Sequence, residues 1–537
     1  MLGLGRNGYA AALVTVLALG LGHASLYVLP FEDAYISFRY AESLADGQGL
    51  SYNPGQRVEG CSSIGWVAVL AAARRLGLPV PATAQALALA AGLGLIFVAV
   101  RMATAWTKRP WVGLAVGAWI AAHGTLAYYA GSGMETTLFA LLVNAGMLAA
   151  TSSKPRASWL CGVLLALGAT VRPEGAGYFV AVAAALGTTR QQRAKALPVI
   201  GAFALLFVPY FLWRWNYFGY PFPNTFYAKA RVGGAGLVTG LEQVERFATL
   251  HLGWLAPVGV VLIARARGMS GWLWLVAAVV AAAAANVVAV GGDSFAFYRF
   301  FLPAIPAAGI AILFAAKLVL PAAARRLGWS PESLPRIAAG SLALLVAWTF
   351  GQAWLPRVSL VGETEPPNRT VVLGVDRINA EYFAVGRWLR ESFPPDTTIA
   401  TNAAGIVPYE SRLRTIDMLG LNDAHIAHRA VSGRGALGHQ KHDAGYVLAQ
   451  RPAVIFPALP RVFPRQLHGL ELMRWYESWF GSLPGDAELF GQPELFDDFM
   501  LVTVPIAEQG WVAFFLRKDA PKPPGLASER PDVIHLR

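Results

Sequence analysis

Eleven apolar runs, near residues 9–30, 82–102, 110–130, 134–151, 157–171, 173–188, 196–216, 251–266, 271–290, 299–319 and 334–354, constrain this chain more than anything else in it. About 20 apolar residues in a helix cross a ~30 Å hydrocarbon core, so the pattern predicts a polytopic α-helical membrane protein with about 11 spans. Composition agrees: 55% of the 537 residues are hydrophobic, 14% are charged and the mean hydropathy is +0.46, too apolar for one soluble domain. The first run exceeds the ~7–15 apolar residues of a signal peptide and no small-x-small cleavage site precedes Glu32-Asp33, which predicts an uncleaved first helix. The stretch 62–77 is short and carries Arg74 and Arg75, so it reads as an amphipathic helix lying flat on the membrane surface.

Charge sets the expected topology. Of the net +12, the stretch from Arg357 onward contributes none, with 19 Lys and Arg against 21 Asp and Glu, leaving 25 and 11 for the first 356 residues. A basic excess confined to the apolar part suits cytoplasmic loops and gives no reason to expect nucleic acid as a partner. With the N-terminus inside, Lys108, Arg109, Lys154, Arg156, Arg190, Arg193, Arg265, Arg267, Arg325 and Arg326 fall in inner loops, whereas Glu32, Asp33, Glu59, Glu135, Glu174 and Asp293 fall outside. The expected site is the inner (plasma) membrane. Cys61 and Cys161 then lie on opposite sides, so no disulfide is expected.

An odd span count sends the rest of the chain outward. The expected division is a transmembrane catalytic module over 1–355, with its first outer loop at about 31–81, and an extracytoplasmic domain over 356–537. In that domain a helix-like stretch from Asn379 to Ser392 leads into Thr397–Thr401. Strand-like runs recur at Val454–Phe456, Met500–Val504 and Trp511–Phe515, the pattern of a small α/β or α+β domain. The basic, Pro-rich end from Lys518 is expected to fray.

Polar motifs collect at the outer ends of the predicted spans. The first loop opens with Glu32-Asp33, followed by Tyr35 and Phe38 at helical spacing with Phe31. Carboxylates at a helix start are stabilised by its dipole, so capping and function are equally good readings of this pair alone. Further polar segments are Ser132–Thr137, Arg172–Gly175, Pro223–Lys229, Gly291–Arg299 and Ile416–Asp423. Gly and Pro interrupt helices there, and irregular backbone at membrane depth is tolerated only where it lines a cavity or is buried in protein. For Arg172 and Glu174 the alternative is a structural ion pair, and for Asp293 and Arg299 it is interfacial anchoring. Carboxylates beside Arg39, Arg214, Lys229 and Arg299 suit a substrate that carries phosphate near hydroxyl-rich chemistry. Tyr35, Tyr52, Tyr217, Phe226, Tyr227 and Tyr298 are candidates for stacking on sugar faces, although aromatics also populate any membrane interface.

The ordered set DAYISFRYA, NPGQRVEG, GMETTLF, RPEG, PNTFYAK, GGDSFAFYRFFLP and IDMLGLND resembles the GT-C glycosyltransferases that use polyprenyl-phosphate sugars. Within them it is most similar to the terminal β-(1→2)-arabinofuranosyltransferases of the mycobacterial cell wall. Gly60-Cys61-Ser62-Ser63 departs from that pattern. The resemblance implies a GT-C-like fold and an inverting transfer of one sugar, a pentofuranose such as arabinofuranose, to an acceptor hydroxyl on a glycan, lipid-glycan or protein. It implies Asp33 as general base, with Glu32 beside it. Arg39, Glu135, Arg172, Glu174, Asn224, Tyr227, Lys229, Asp293, Tyr298, Arg299 and Asp417 are the expected substrate- and phosphate-binding residues. A divalent cation (Mg or Mn) on Glu32, Asp33 or Glu135 would suit hard oxygen ligands. Two alternatives remain: a transporter or flippase for a lipid-linked saccharide, and a polymerase or ligase using pyrophosphate-linked glycans. Transporters place ionisable groups near the bilayer midplane and show repeated halves, which this sequence does not.

Overall fold

The computed structural model describes residues 5–29, 31–229, 234–358, 364–431, 435, 438–506, 509–524 and 526. Pro30, where the first apolar run was expected to end, and residues 527–537 of the basic tail lie outside the described residues. The chain forms two compact units: Met1–Leu29, Ala82–Leu212 and Val232–Val372 make the first, and Pro30–Pro81, Trp213–Arg231 and Leu373–Arg537 the second. These units do not follow a linear division at 355/356, because the first loop and the segment after Leu212 fold with the C-terminal part.

The first unit is helical. Among its described residues, and reaching past Leu212 for one helix, six helices are long and apolar enough to cross a membrane: Arg6–Ser25, Val80–Thr107, Gln192–Phe218, Gly271–Val290, Ile305–Arg326 and Leu334–Gly351. The run expected at 251–266 is one arm of a pair, Gly236–Leu250 and Leu255–Arg267, bent by 70°. The remaining apolar runs are shorter helices, Pro110–Ala121, Thr136–Thr151, Pro155–Val171 and Gly175–Gly187. At 1.5 Å per residue such helices reach only about 18–26 Å, less than the ~30 Å core. All eleven runs are helical, but length alone supports six or seven spans, since Gly and Pro break the others. Their core is close-packed around Leu95, Ile120, Val143, Leu165, Val279 and Ile310.

The second unit is built on a six-stranded mixed sheet among the described residues: β1 (Thr398–Thr401), β2 (Arg414–Asp417), β3 (Val454–Phe456), β4 (Val462–Phe463), β5 (Phe499–Ile506) and β6 (Gly510–Arg517). β1 lies between β2 and β3 and is parallel to both, with Ala400 opposite Ile416 and Ile455. β6 then runs antiparallel to β3 and closes a hairpin with β5, Val502 opposite Phe514. The C-terminal part is therefore an α/β domain. The helix Asn368–Ser392 sends Trp388 onto Phe514, ring centroids 5.4 Å apart. The first loop contributes two helices, Ala34–Ala45 and Ile64–Arg75, with Ser37 and Ser63 hydroxyls 3.2 Å apart. The stretch 62–77 is thus a 12-residue helix, too short to span. Cys61 and Cys161 are free thiols.

Candidate active site

In the helical unit, three of the motifs meet. Arg172, just past the helix Pro155–Val171, binds Glu135 at 2.7 Å and Glu174 at 2.5 Å. Glu135 and Glu174 both sit at helix N-termini, yet neither side chain caps its helix, because each is committed to Arg172. Asp293 grips Arg299 through two oxygens, at 2.9 and 3.1 Å. Phe300 links the groups: the Arg172 guanidinium lies 5.3 Å from its ring centre and that of Arg299 5.1 Å. The turn that carries them is strained, with Phe297 at φ 64° and Tyr298 at φ 52°. Thr125 and Tyr129 pin it by donating to the Phe297 and Ala296 carbonyls at 2.6 and 2.8 Å. Arg172 and Glu174 are thus the ion pair foreseen as the alternative reading. Arg299 spends two of its donor groups on Asp293, and Tyr298 is buried.

In the second unit, the Glu32-Asp33 pair heads the helix Ala34–Ala45. Asp33 occupies the N-cap position but its carboxylate makes no cap hydrogen bond. Glu32 accepts the Gly405 N–H at 2.5 Å. Gly405 is required there, since a Cβ would run into the Glu32 backbone oxygen. Burial, then the adjacent Asp33 charge, push the Glu32 carboxyl well above the usual carboxylate range, against the pull of the Gly405 N–H; a hydrogen bond to Asp33 favours the protonated form further. These effects favour the neutral form of Glu32.

Other motifs converge on this pair. Asp417, at the end of β2, is buried and accepts from Asn422 N and Nδ2 at 2.8 and 2.9 Å and from Leu419 N at 3.0 Å. Burial raises its pKa to about 6, and its charge acts on Glu32. Asn224 donates to the carbonyls of Gly420 and Leu421 at 2.8 and 3.0 Å, tying PNTFYAK to IDMLGLND. Gly60 permits the same approach, because a Cβ would strike Asn422 Oδ1. Lys229 runs its stem along Gly438. His439, which the sequence gave no reason to select, is lowered by burial and by the Lys229 charge and raised by Asp33, so it lies within electrostatic reach of both.

Several expected ligands are engaged by the chain itself. Arg39 is buried and donates to the carbonyls of Tyr52 (2.7 Å), Pro408 (2.5 Å) and Leu413 (2.7 Å) and to Asn53 Oδ1 (3.3 Å), which leaves almost no donor capacity for a phosphate. Arg214 is paired with Glu59 at 2.6 Å. Tyr35 packs against Phe38, Phe383 and Tyr409, and Tyr52 lies under Arg39 with its hydroxyl on Ala404 O, so neither face is offered to a sugar. Tyr220 stacks on His428 with ring centroids 4.4 Å apart, and the Tyr227 ring lies 4.4 Å from the same imidazole, tilted by 33°. Phe226 keeps an exposed face.

Among the described residues no three His, Cys, Asp or Glu side chains converge to hold a divalent cation. Glu135 is committed to Arg172.

Residues 374–515 match a family described as a domain of unknown function (DUF8728). No curated protein sequence matches the chain. Among solved structures, ArnT from Cupriavidus metallidurans in the apo state is similar at 16% identity and TM-score 0.52, over 76% of this chain and 85% of that one. The same protein bound to undecaprenyl phosphate gives 15% and 0.50, over 77% and 86%. The oligosaccharyltransferase AglB from Archaeoglobus fulgidus, in complex with an inhibitory peptide and a dolichol-phosphate, gives 9% and 0.54, over 95% and 74%. At such identities the likeness is one of fold alone.

Proposed function

We propose that this protein is a membrane glycosyltransferase that moves one sugar from a polyprenyl-monophosphate donor to an acceptor hydroxyl on the extracytoplasmic side, with inversion. The observation that carries the reading is the carboxyl pair at the head of Ala34–Ala45. A carboxylate at an N-cap position that makes no cap hydrogen bond, beside a carboxyl kept neutral, suits a general base with its orienting partner. The fold likeness to proteins captured with undecaprenyl phosphate and with a dolichol-phosphate supports the lipid donor. The motif resemblance favours a pentofuranose, arabinofuranose first.

In this mechanism Asp33 takes the acceptor hydroxyl proton as that oxygen bonds to the anomeric carbon. The bond from that carbon to the phosphate oxygen breaks, and polyprenyl phosphate leaves with the electron pair. Glu32, whose neutral form burial favours, is the orienting partner that donates to Asp33 in this reading. The leaving phosphate gains charge, which Lys229 balances in this reading; its charge and that of Asp33 both act on His439. The test is to assay purified protein against a panel of polyprenyl-phosphate sugars and to analyse the released lipid. Sugar transfer with release of the monophosphate is expected. Release of a pyrophosphate would favour a polymerase or ligase, and vectorial movement of an intact lipid-linked saccharide without release would favour a transporter.

A further inference from the structure

Where the helix Gln192–Phe218 ends, the second unit exposes a cluster of rings that the proposed mechanism leaves unused. Gly219, at φ 82°, stops the helix in the left-handed conformation that glycine accepts. Tyr220-Pro221-Phe222-Pro223 follows. Each proline fixes its own φ and biases the residue before it toward extended backbone, so Tyr220 and Phe222 sit on a stiff, non-helical segment. Asn224 then starts the six-residue helix that carries Phe226 and Tyr227. Large rings are ordinarily buried, yet Tyr220, Phe222 and Phe226 remain 42%, 51% and 48% exposed. They nonetheless form one surface. The centroids of Phe222 and Phe226 lie 4.8 Å apart, those of Phe226 and Tyr227 5.6 Å, and those of Tyr220 and Tyr227 5.8 Å. His428, from the C-terminal part, backs both tyrosines.

Chain length sets the depth of this surface. At 1.5 Å per residue the 27 residues of Gln192–Phe218 reach ~40 Å, ~10 Å more than the hydrocarbon core, so the last turns of the helix lie in the headgroup layer. Phe222 is four residues past Phe218 and therefore within ~14 Å of the helix end. The band continues on the helix itself, where the exposed Trp213 stacks on Tyr217, centroids 5.7 Å apart. Over the Tyr217 ring, 4.9 Å from its centre, lies the guanidinium of Arg57, an exposed residue of the first loop. Aromatic rings at that depth belong at the boundary between headgroups and acyl chains, and an arginine among them suits a lipid phosphate. A sugar site instead surrounds a ring face with hydrogen-bonding groups. Phe222 and Phe226 offer none.

We infer that this band is a docking surface for the bilayer: Tyr220, Phe222 and Phe226 insert at the lipid boundary beside the helix end, and Arg57 meets lipid phosphate. The surface holds the second unit on the membrane. Because Asn224 ties the same segment to the Gly420 and Leu421 carbonyls, it also sets the height of the stretch that begins at Asp417. None of this depends on which reaction the protein performs. In the test, Phe222→Cys and, separately, Tyr220→Cys are made in the full-length protein and labelled with an NBD maleimide; Cys61 and Cys161 are buried and stay unlabelled. Each labelled protein, its folding checked by thermal unfolding, is placed in phosphatidylcholine nanodiscs. Lipid carrying a nitroxide near the headgroup end of its acyl chain should quench the label strongly, and aqueous iodide weakly. Quenching by iodide and not by the nitroxide lipid, in a folded protein at either site, overturns the surface. Relief of the nitroxide quenching by methyl arabinofuranoside would overturn it in favour of a sugar platform. Relief by stoichiometric undecaprenyl phosphate would overturn it in favour of a site for an isoprenoid chain.

Discussion

Replacing the two carboxyls one at a time separates a base from its orienting partner. Asp33 makes no cap hydrogen bond, so Asp33→Asn forfeits none of the ~0.5–2 kcal/mol that a capping side chain supplies, and the fold should be unaffected. Asn cannot take a proton. Loss of the general base should lower kcat by about 10²–10⁴, or roughly 2.7–5.4 kcal/mol of barrier. Glu32→Gln is a milder change, because the amide oxygen still accepts the Gly405 N–H and the amide nitrogen still donates to Asp33. One neutral hydrogen bond replaces another, so the loss should stay near 0.5–1.5 kcal/mol, about 2- to 13-fold. The pH profile adds a second readout. Glu32 titrates above the usual carboxylate range, so wild-type activity should fall as pH rises through that value, when Glu32 loses the proton it donates and sets a second negative charge beside Asp33. Glu32→Gln should abolish this alkaline limb. The assay is donor turnover against pH with purified, folded variants. A near wild-type rate in Asp33→Asn refutes the base assignment, and a loss in Glu32→Gln as deep as in Asp33→Asn means Glu32 is the base.

Four further outcomes are expected. Arg39→Lys should cost about 3–5 kcal/mol of stability by stranding three buried carbonyls, with donor KM unchanged in the folded fraction; a large donor KM effect in a stable variant would restore a phosphate role. Asp293→Asn and Arg299→Gln should each destabilise the helical unit, and a double-mutant cycle should give a coupling above about 1 kcal/mol; coupling near zero would mean the bidentate pair contributes nothing to stability. Asp417 and Asp486, raised by burial from 3.8 to about 6, bind protons more tightly folded than unfolded. Stability should therefore fall as pH rises from about 4 to about 6, by up to about 3 kcal/mol each, and a flat unfolding profile there would contradict their burial. Reporter fusions at Pro356 and Arg267 should be active on opposite sides of the membrane; activity on one side would overturn the surface placement of 62–77.

The membrane helices and the α/β tail were legible because they depend on local pattern: apolar run length and alternation. The roles of the basic residues were not, because a sequence shows which groups carry charge but not which partner neutralises each. Arg39, Arg214 and Arg299 were grouped as phosphate ligands, with an ion pair foreseen only for Arg172, and each of the four is engaged by carbonyls or a carboxylate of its own chain. The same limit applies to aromatics, since Tyr35 and Tyr52 have the composition of a sugar platform and the packing of a core. The converse failure is His439, more than 400 residues from Asp33 in sequence, whose place depends on long-range closure of the second unit. Lys229 and Asp33 remain candidates for opposite reasons. Asp33 leaves its helix uncapped, and the Lys229 charge acts on His439 from a six-residue helix that Asn224 fastens to the Gly420 and Leu421 carbonyls. A site assembled from three distant segments in this way is fixed by the buried hydrogen bonds at Gly405, Asn224 and Asp417, and it is these fasteners, more than the charged residues they position, that a one-dimensional reading lacks the means to detect.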